Sequence, residues 1–115
     1  MLTFINQARQ GDLYIKRISS LPDGIKAMTV QNGVYVVAHS ESGHNHVLEA
    51  TLGVEVFESE DPMTLYMRII EETEAKLIHQ KTGPDAHKPI AIPPGMFRIR
   101  IGRERTPEGW RRVVD

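Results

Sequence analysis

Residues 97–101 run Phe-Arg-Ile-Arg-Ile, and this stretch decides the predicted fold. An apolar side chain stands at every second position, and an arginine separates each apolar residue from the next. Successive side chains of a β-strand point to opposite faces of a sheet, so the pattern predicts a strand with one apolar and one charged face. No other stretch of the chain alternates as regularly.

Shorter segments elsewhere alternate in the same way. Leu13 and Ile15 share one phase of such a pattern, and Val54 and Val56 share another. Strands that recur every 8–12 residues or so, separated by turn signals, are typical of a β-sandwich or β-barrel. We therefore predict a mainly β fold with little helix, a small β-barrel or sandwich that forms a single domain over residues 1–115.

Glycine and proline mark the turns between these segments. Residues 21–24 run Leu-Pro-Asp-Gly, in which proline presets one backbone angle and glycine tolerates a positive one. The dipeptide Asn32-Gly33 is the strongest hairpin signal in the chain, because both residue types adopt the positive φ of a two-residue turn. We expect it to join strands at 28–31 and 34–39.

Residues 65–80 are open to two interpretations. Ile69, Ile70 and Leu77 have helical spacing and good helix formers lie among them, which is compatible with one amphipathic helix. The same stretch also fits two strands, 64–70 and 75–80, around an acidic turn. The strand pattern on both sides favours the two-strand interpretation.

Size and composition exclude several classes of protein. The chain has 115 residues, 40% hydrophobic and 25% charged, which is ordinary for a globular protein and not for a disordered one. It contains no cysteine, so disulfides, thiolate metal sites and cysteine nucleophiles are excluded. The longest apolar run is far shorter than a membrane helix, and the N-terminal residues do not resemble a signal peptide. We therefore expect a soluble cytoplasmic protein without a membrane partner.

Charge is unevenly distributed although the net charge is −1. Residues 49–74 hold eight acidic side chains and one arginine, whereas residues 98–115 hold six arginines and three acids. Three interpretations fit this distribution: solvated faces of opposite sign, complementary patches of a homo-oligomer, or a basic C-terminal face for an anionic partner. Near the arginines the aromatic residues are Phe97, in the apolar phase, and Trp110, so no stacking platform is evident and nucleic acid is disfavoured without being excluded.

The histidines carry the most specific chemical signal. They stand at positions 39, 44, 46, 79 and 87, and His44-Asn45-His46 places two of them two residues apart. On a strand such residues share a face, so His44 and His46 can present two imidazoles to one cation. Neutral imidazole is a good ligand for divalent transition metals. We therefore predict a site for such an ion, with Zn, Fe, Ni and Mn as the candidates.

Further ligands must come from other parts of the chain. We expect His87 and then His79 to complete the site, the latter because it shares its strand phase with the apolar Ala75 and Leu77. Glu49 would face away from His46 on a regular strand and would need a bulge to become a ligand. The alternative is that the histidines occupy separate places in the core and on the surface.

The pair His44-Asn45-His46, followed downstream by Ile92-Pro93-Pro94-Gly95, resembles the two motifs of the cupin superfamily. This resemblance implies a small jelly-roll barrel that binds a metal through an HxH pair, a Glu and a later His. Ala50 and Thr51 occupy the region where the cupin Glu is expected, and Arg98 stands in place of the later His. The resemblance therefore implies that His79 or His87 supplies the later ligand.

A second resemblance covers most of the chain. The segments AHSESGHNH (38–46), PIAIPPGMFRI (89–99) and RERTPEGWRRVVD (103–115) are similar to a set of short uncharacterised bacterial and phage proteins with a GHxH motif. The resemblance implies that the domain is a unit and implies no activity.

Two functions remain as hypotheses. The first is a metal-binding β-barrel protein that acts as a metal-dependent enzyme on a small-molecule substrate, with Arg98 and Arg100 binding an anionic group of it; no catalytic base is evident. The alternative is a non-catalytic accessory module of a phage or mobile element. It would bind protein or nucleic acid through the Arg-rich C-terminal face, with Trp110 as an exposed anchor.

Overall fold

The computed structural model describes residues 2–38, 45–80, 88–106 and 109–112, with side chains described up to residue 102. These residues form twelve β-strands and no helix. Within them, no helix is long and apolar enough to cross a membrane. The strands are β1 (Gln7–Gln10), β2 (Leu13–Ile18), β3 (Lys26–Ala27), β4 (Val34–Ala38), β5 (His46–Glu49), β6 (Val54–Glu58), β7 (Thr64–Ile69), β8 (Ala75–His79), β9 (Ile90–Ile92), β10 (Gly95–Ile101), β11 (Arg103–Thr106) and β12 (Gly109–Arg112).

The strands form two main antiparallel sheets and a separate two-stranded ribbon. The larger sheet has the order β1-β2-β10-β7-β6-β3, the smaller sheet has the order β4-β5-β8-β9, and β11 pairs with β12. Buried side chains from both main sheets belong to one hydrophobic core. The predicted mainly β fold is confirmed in its sandwich form, since the two sheets are not joined into a closed barrel.

Strand β10 lies in the middle of the larger sheet, hydrogen-bonded to β2 on one side and to β7 on the other. Phe97 and Ile99 are fully buried and Ile101 nearly so, whereas Arg98 is partly exposed and Arg100 is exposed. The alternation predicted for 97–101 is therefore confirmed, and it assigns one face of the sheet to the core and the other to the surface.

The other predicted strand phases are also confirmed. Leu13, Ile15, Val54 and Val56 are all buried in the core. The smaller sheet contributes a matching set of buried side chains, namely Val37, Ala38, Leu48, Ala75, Leu77, Ile90 and Ile92. Fully burying one aliphatic side chain of this size stabilises a fold by about 1.5–3 kcal/mol, so this core is the main source of stability.

The turn at Asn32-Gly33 is confirmed, but the hairpin around it is not extended. Both residues have positive φ, 51° and 78°, and Gln31 and Val34 exchange backbone hydrogen bonds of 2.8 and 3.1 Å across the turn. The residues before Gln31 do not continue the pairing with β4, because β3 pairs with β6 in the larger sheet. The residues before the turn thus connect the two sheets instead of forming a long hairpin.

Residues 65–80 form two strands and no helix. Strand β7 ends at Ile69 and β8 begins at Ala75, with the Glu-rich segment 71–74 between them and a positive φ of 65° at Glu72. The two strands lie in different sheets, so this acidic segment crosses from one side of the sandwich to the other. Alternation of Leu65, Met67 and Ile69 decides against the helix, because all three are buried.

The N-terminal segment connects the edges of both sheets. Leu2 donates a hydrogen bond to the carbonyl oxygen of Pro89 at 3.1 Å and accepts one from the backbone of Ala91 at 2.9 Å, beside β9 in the smaller sheet. The chain then continues into β1, the edge strand of the larger sheet. This path carries Gln10 and Asp12 into the gap between the sheets, where both are buried.

The core can be tested with two identical substitutions. Leu48→Ala removes a side chain that is fully buried, and we expect it to lower the free energy of unfolding by about 2–5 kcal/mol. Leu52→Ala removes the same atoms from a side chain that is 98% exposed and should change this free energy by less than about 0.5 kcal/mol. Urea unfolding followed by circular dichroism measures both, and equal effects would contradict the core assignment.

Candidate functional site

Two of the predicted metal-ligating histidines meet between the sheets. His46 on β5 and His79 on β8 are register partners on adjacent strands, and their imidazole rings stack with centroids 4.3 Å apart and planes 9° from parallel. His46 is fully buried and His79 is 4% exposed. Each is two residues from a leucine of the core, Leu48 and Leu77, and so shares the inward phase of its strand.

Gln10 holds the His46 ring in one orientation. Its Nε2 donates hydrogen bonds to the carbonyl oxygens of Leu77, at 3.1 Å, and Lys88, at 2.8 Å. Because the amide nitrogen faces these two carbonyls, Oε1 is the acceptor that lies 2.8 Å from His46 Nδ1. The Nδ1 atom therefore carries a hydrogen, and in the neutral ring Nε2 retains its lone pair.

Asp12 lies on the Nε2 side of the same ring. Its Oδ1 is 3.8 Å from His46 Nε2, and the residue is 3% exposed. This separation is too long for a direct hydrogen bond. In a tetrahedral site, two ligand atoms that each lie about 2.0–2.2 Å from one zinc-like ion are roughly 3.4 Å apart, so this nitrogen and this oxygen would have to approach by a few tenths of an ångström to share an ion.

The stacking of the two rings limits what His79 can do in the same site. An imidazole nitrogen binds a metal along its lone pair, which lies in the plane of the ring. Two nearly parallel rings with centroids 4.3 Å apart direct their lone pairs side by side and not towards one point. In the described arrangement one ion can therefore take a nitrogen from His46 or from His79, and sharing requires one ring to rotate.

Among the described residues no group of three or more His, Asp or Glu side chains is arranged to hold a metal ion. His44 and His87, the other predicted ligands, lie outside the described residues, as does His39. Their neighbours in the chain are described and belong to the surroundings of the cluster. Asn45 accepts a 2.7 Å hydrogen bond from the backbone of Gln80, and Lys88 accepts the one from Gln10.

The predicted anion-binding residues lie elsewhere. Arg98 and Arg100 project from the outer face of the larger sheet, opposite to Phe97 and Ile99, which face the core. The sheet itself therefore separates them from His46, and they do not line a common site with it. Glu49 is exposed, as expected for a residue three positions after the inward-facing His46 on a regular strand.

Gln10 and Asp12 were not predicted as site residues. They lie 36 and 34 positions before His46, and their contact with it depends on how two sheets pack. No apolar alternation marks β1, which runs Gln-Ala-Arg-Gln, so its inward phase is not evident from the sequence. These two residues can be recognised as part of the site only in the folded structure, where the buried amide of Gln10 faces the buried imidazole of His46.

Residues 9–102 match a family model described as Domain of unknown function (DUF8820). The match agrees with the predicted resemblance to an uncharacterised family, and its description carries no activity. Neither the curated proteins nor the solved structures contain a match to this chain.

The role of Gln10 can be tested with a matched pair of substitutions. Gln10→Ala deprives His46 Nδ1 and two backbone carbonyls of their partner, and an unsatisfied buried polar group costs about 1–3 kcal/mol. We expect the free energy of unfolding to fall by about 2 kcal/mol or more in a urea titration. Gln7→Ala, at an exposed position of the same strand, should change it by less than about 0.5 kcal/mol. Similar stabilities for the two variants would exclude the role described for Gln10.

Proposed function

We propose that this chain, which belongs to the DUF8820 family, is a metal-binding β-sandwich protein that holds a divalent transition-metal ion beside His46. The observation that supports the proposal is the set of neighbours of the two His46 ring nitrogens. Its Nδ1 is bound to Gln10, while its Nε2 faces the Asp12 carboxylate at 3.8 Å. Metal-ligating histidines in proteins usually donate their other N–H to an oxygen acceptor, which fixes the ring, as Gln10 does for His46.

The proposed ligand set combines residues that the structure describes with residues that lie outside the described ranges. His46 Nε2 and Asp12 Oδ1 form the described half, and His44 and His87 are the other ligands that the sequence predicts. His79 packs against the His46 ring and becomes a ligand only if its own ring rotates. Imidazoles with one carboxylate suit Zn, Fe, Ni or Mn, in agreement with the ions proposed from the sequence. The cupin-like character of the proposed site rests on the HxH pair in this ligand set, His44 and His46.

An enzymatic form of this proposal follows from the chemistry of such an ion. A divalent ion that keeps one open position activates a bound water or polarises an oxygen of a small-molecule substrate. The substrate would not be held by Arg98 and Arg100, since they lie on the other side of the larger sheet.

Elemental analysis of the untagged protein tests the metal site. We expect close to one ion per chain in the unmodified protein and in His39→Gln, because His39 is outside the ligand set. We expect a large loss of metal in His46→Gln and in His44→Gln. A substoichiometric metal content that none of these substitutions changes would contradict the proposal.

The carboxylate can be tested separately from folding. Asp12→Asn keeps the size of the side chain and removes its charge, and we expect at least a tenfold loss of Zn²⁺ or Ni²⁺ affinity in calorimetry. Asp23→Asn, at an exposed turn position, is the matched control and should bind as the unmodified protein does. Added metal at about 100 times its Kd should also raise the free energy of unfolding by about 2.7 kcal/mol. Unchanged affinity in folded Asp12→Asn would remove Asp12 from the ligand set.

A further inference from the structure

The outer face of the larger sheet carries four cationic side chains on three adjacent strands. They are Arg9 on β1, Lys16 on β2, and Arg98 and Arg100 on β10. We call this surface the basic face. These four side chains line a shallow depression of about 620 Å³, and no acidic residue lines it within the described part of the chain. The depression therefore presents one sign of charge.

The strand register concentrates the charges. Lys16 lies directly opposite Arg98, so two cations are cross-strand neighbours. Like charges in this position destabilise a sheet, and a surface selected for solubility alone interleaves both signs. The same face shows that contrast on the next strands, where Arg68 of β7 forms an ion pair with Glu55 of β6.

Two tyrosines complete the basic face. Tyr14 is 45% exposed and lies in register between Arg9 and Arg100, with the Arg9 guanidinium carbon 5.1 Å from the centre of its ring. Tyr66 lies in register beside Arg98 on β7. The sequence alone indicates no stacking platform near the arginines, because these tyrosines lie on strands that are distant in the chain from β10.

We propose that the basic face binds single-stranded nucleic acid. The four cations stand on three adjacent strands, which lie about 4.8 Å apart in a sheet, so their charge extends as a band across the sheet that suits the successive phosphates of a polyanion. Aromatic side chains set among the cations provide surfaces on which bases stack, the combination typical of sequence-tolerant binding of single strands. This site is independent of the proposed metal site, which lies on the inner side of the same sheet.

Fluorescence anisotropy with labelled single-stranded DNA and RNA of about twelve nucleotides tests the proposal on the full chain. Lys16→Gln/Arg100→Gln should weaken binding at least about tenfold, and the slope of log Kd against log salt should fall by about 1.4, corresponding to two lost phosphate contacts. Lys26→Gln/Lys76→Gln removes the same charge from exposed positions on β3 and β8. This control should bind within about twofold of the unmodified protein.

Stacking is tested at Tyr14, an exposed side chain whose loss leaves the core intact. Tyr14→Ala should weaken binding by roughly 5- to 100-fold with the salt slope unchanged, because a base contact and not a phosphate contact is lost. Tyr14→Phe keeps the ring and should bind within about twofold of the unmodified protein. A circular dichroism spectrum of each variant serves as the control for folding.

Four results would overturn the proposal. The first is no binding of either oligonucleotide at about 50 mM salt. The second is an equal loss of affinity in the Lys26→Gln/Lys76→Gln control. The third is equally tight binding of a poly-glutamate peptide that is insensitive to Tyr14→Ala, which would indicate an acidic protein partner. The fourth is binding that is lost in Arg111→Gln/Arg112→Gln and kept in Lys16→Gln/Arg100→Gln, which would move the site to the C-terminal ribbon.

Discussion

Side chains on a β-strand must alternate between two faces, and for β10 this constraint separates the interior of the molecule from its basic face. Strand β10 lies between β2 and β7, so both of its edges are hydrogen-bonded and its side chains can face only the core or the outer surface. Phe97 and Ile99 face the core, and Arg98 and Arg100 face the outer surface. The buried imidazoles and the exposed cations consequently belong to chemically distinct places. An ion held in the interior and an anion held outside would act independently of each other.

The buried polar cluster also specifies how the two sheets meet. Gln10 lies on the edge strand of the larger sheet and donates to the carbonyl of Leu77 in the smaller one, so it links the sheets directly. A slip of β1 by one residue would turn Gln10 outwards and direct Arg9 to the interior. That exchange would leave His46 Nδ1 without its acceptor and bury a guanidinium, and both changes are costly. The cluster thus opposes the wrong register as well as orienting the imidazole.

The sequence predicts which way side chains face better than it predicts which strands are neighbours. Alternation at Leu13 and Ile15 and at 97–101 predicts buried residues correctly, and Asn32-Gly33 predicts its own turn. The partner of β3 and the contact between Gln10 and His46 are not predictable in this way. They depend on packing between segments that are far apart in the chain, and a local period of two contains no information about that packing. Of the four predicted metal ligands, His46 and His79 are the two that the described residues show together.

The basic face is not required by the fold. Most of the buried side chains that form the core come from the inward phases of the strands, with the consecutive Val37 and Ala38 at the irregularity of β4 as an exception, and none of the four cations is among them. The opposed Lys16 and Arg98 reduce the stability of the sheet, whereas the neighbouring Glu55 and Arg68 show that the same outer surface accommodates paired charges. Folding therefore accounts for the core and leaves the concentration of positive charge around Tyr14 unexplained. An anionic partner accounts for it, since a bound phosphate backbone would neutralise the repulsion that the free protein carries.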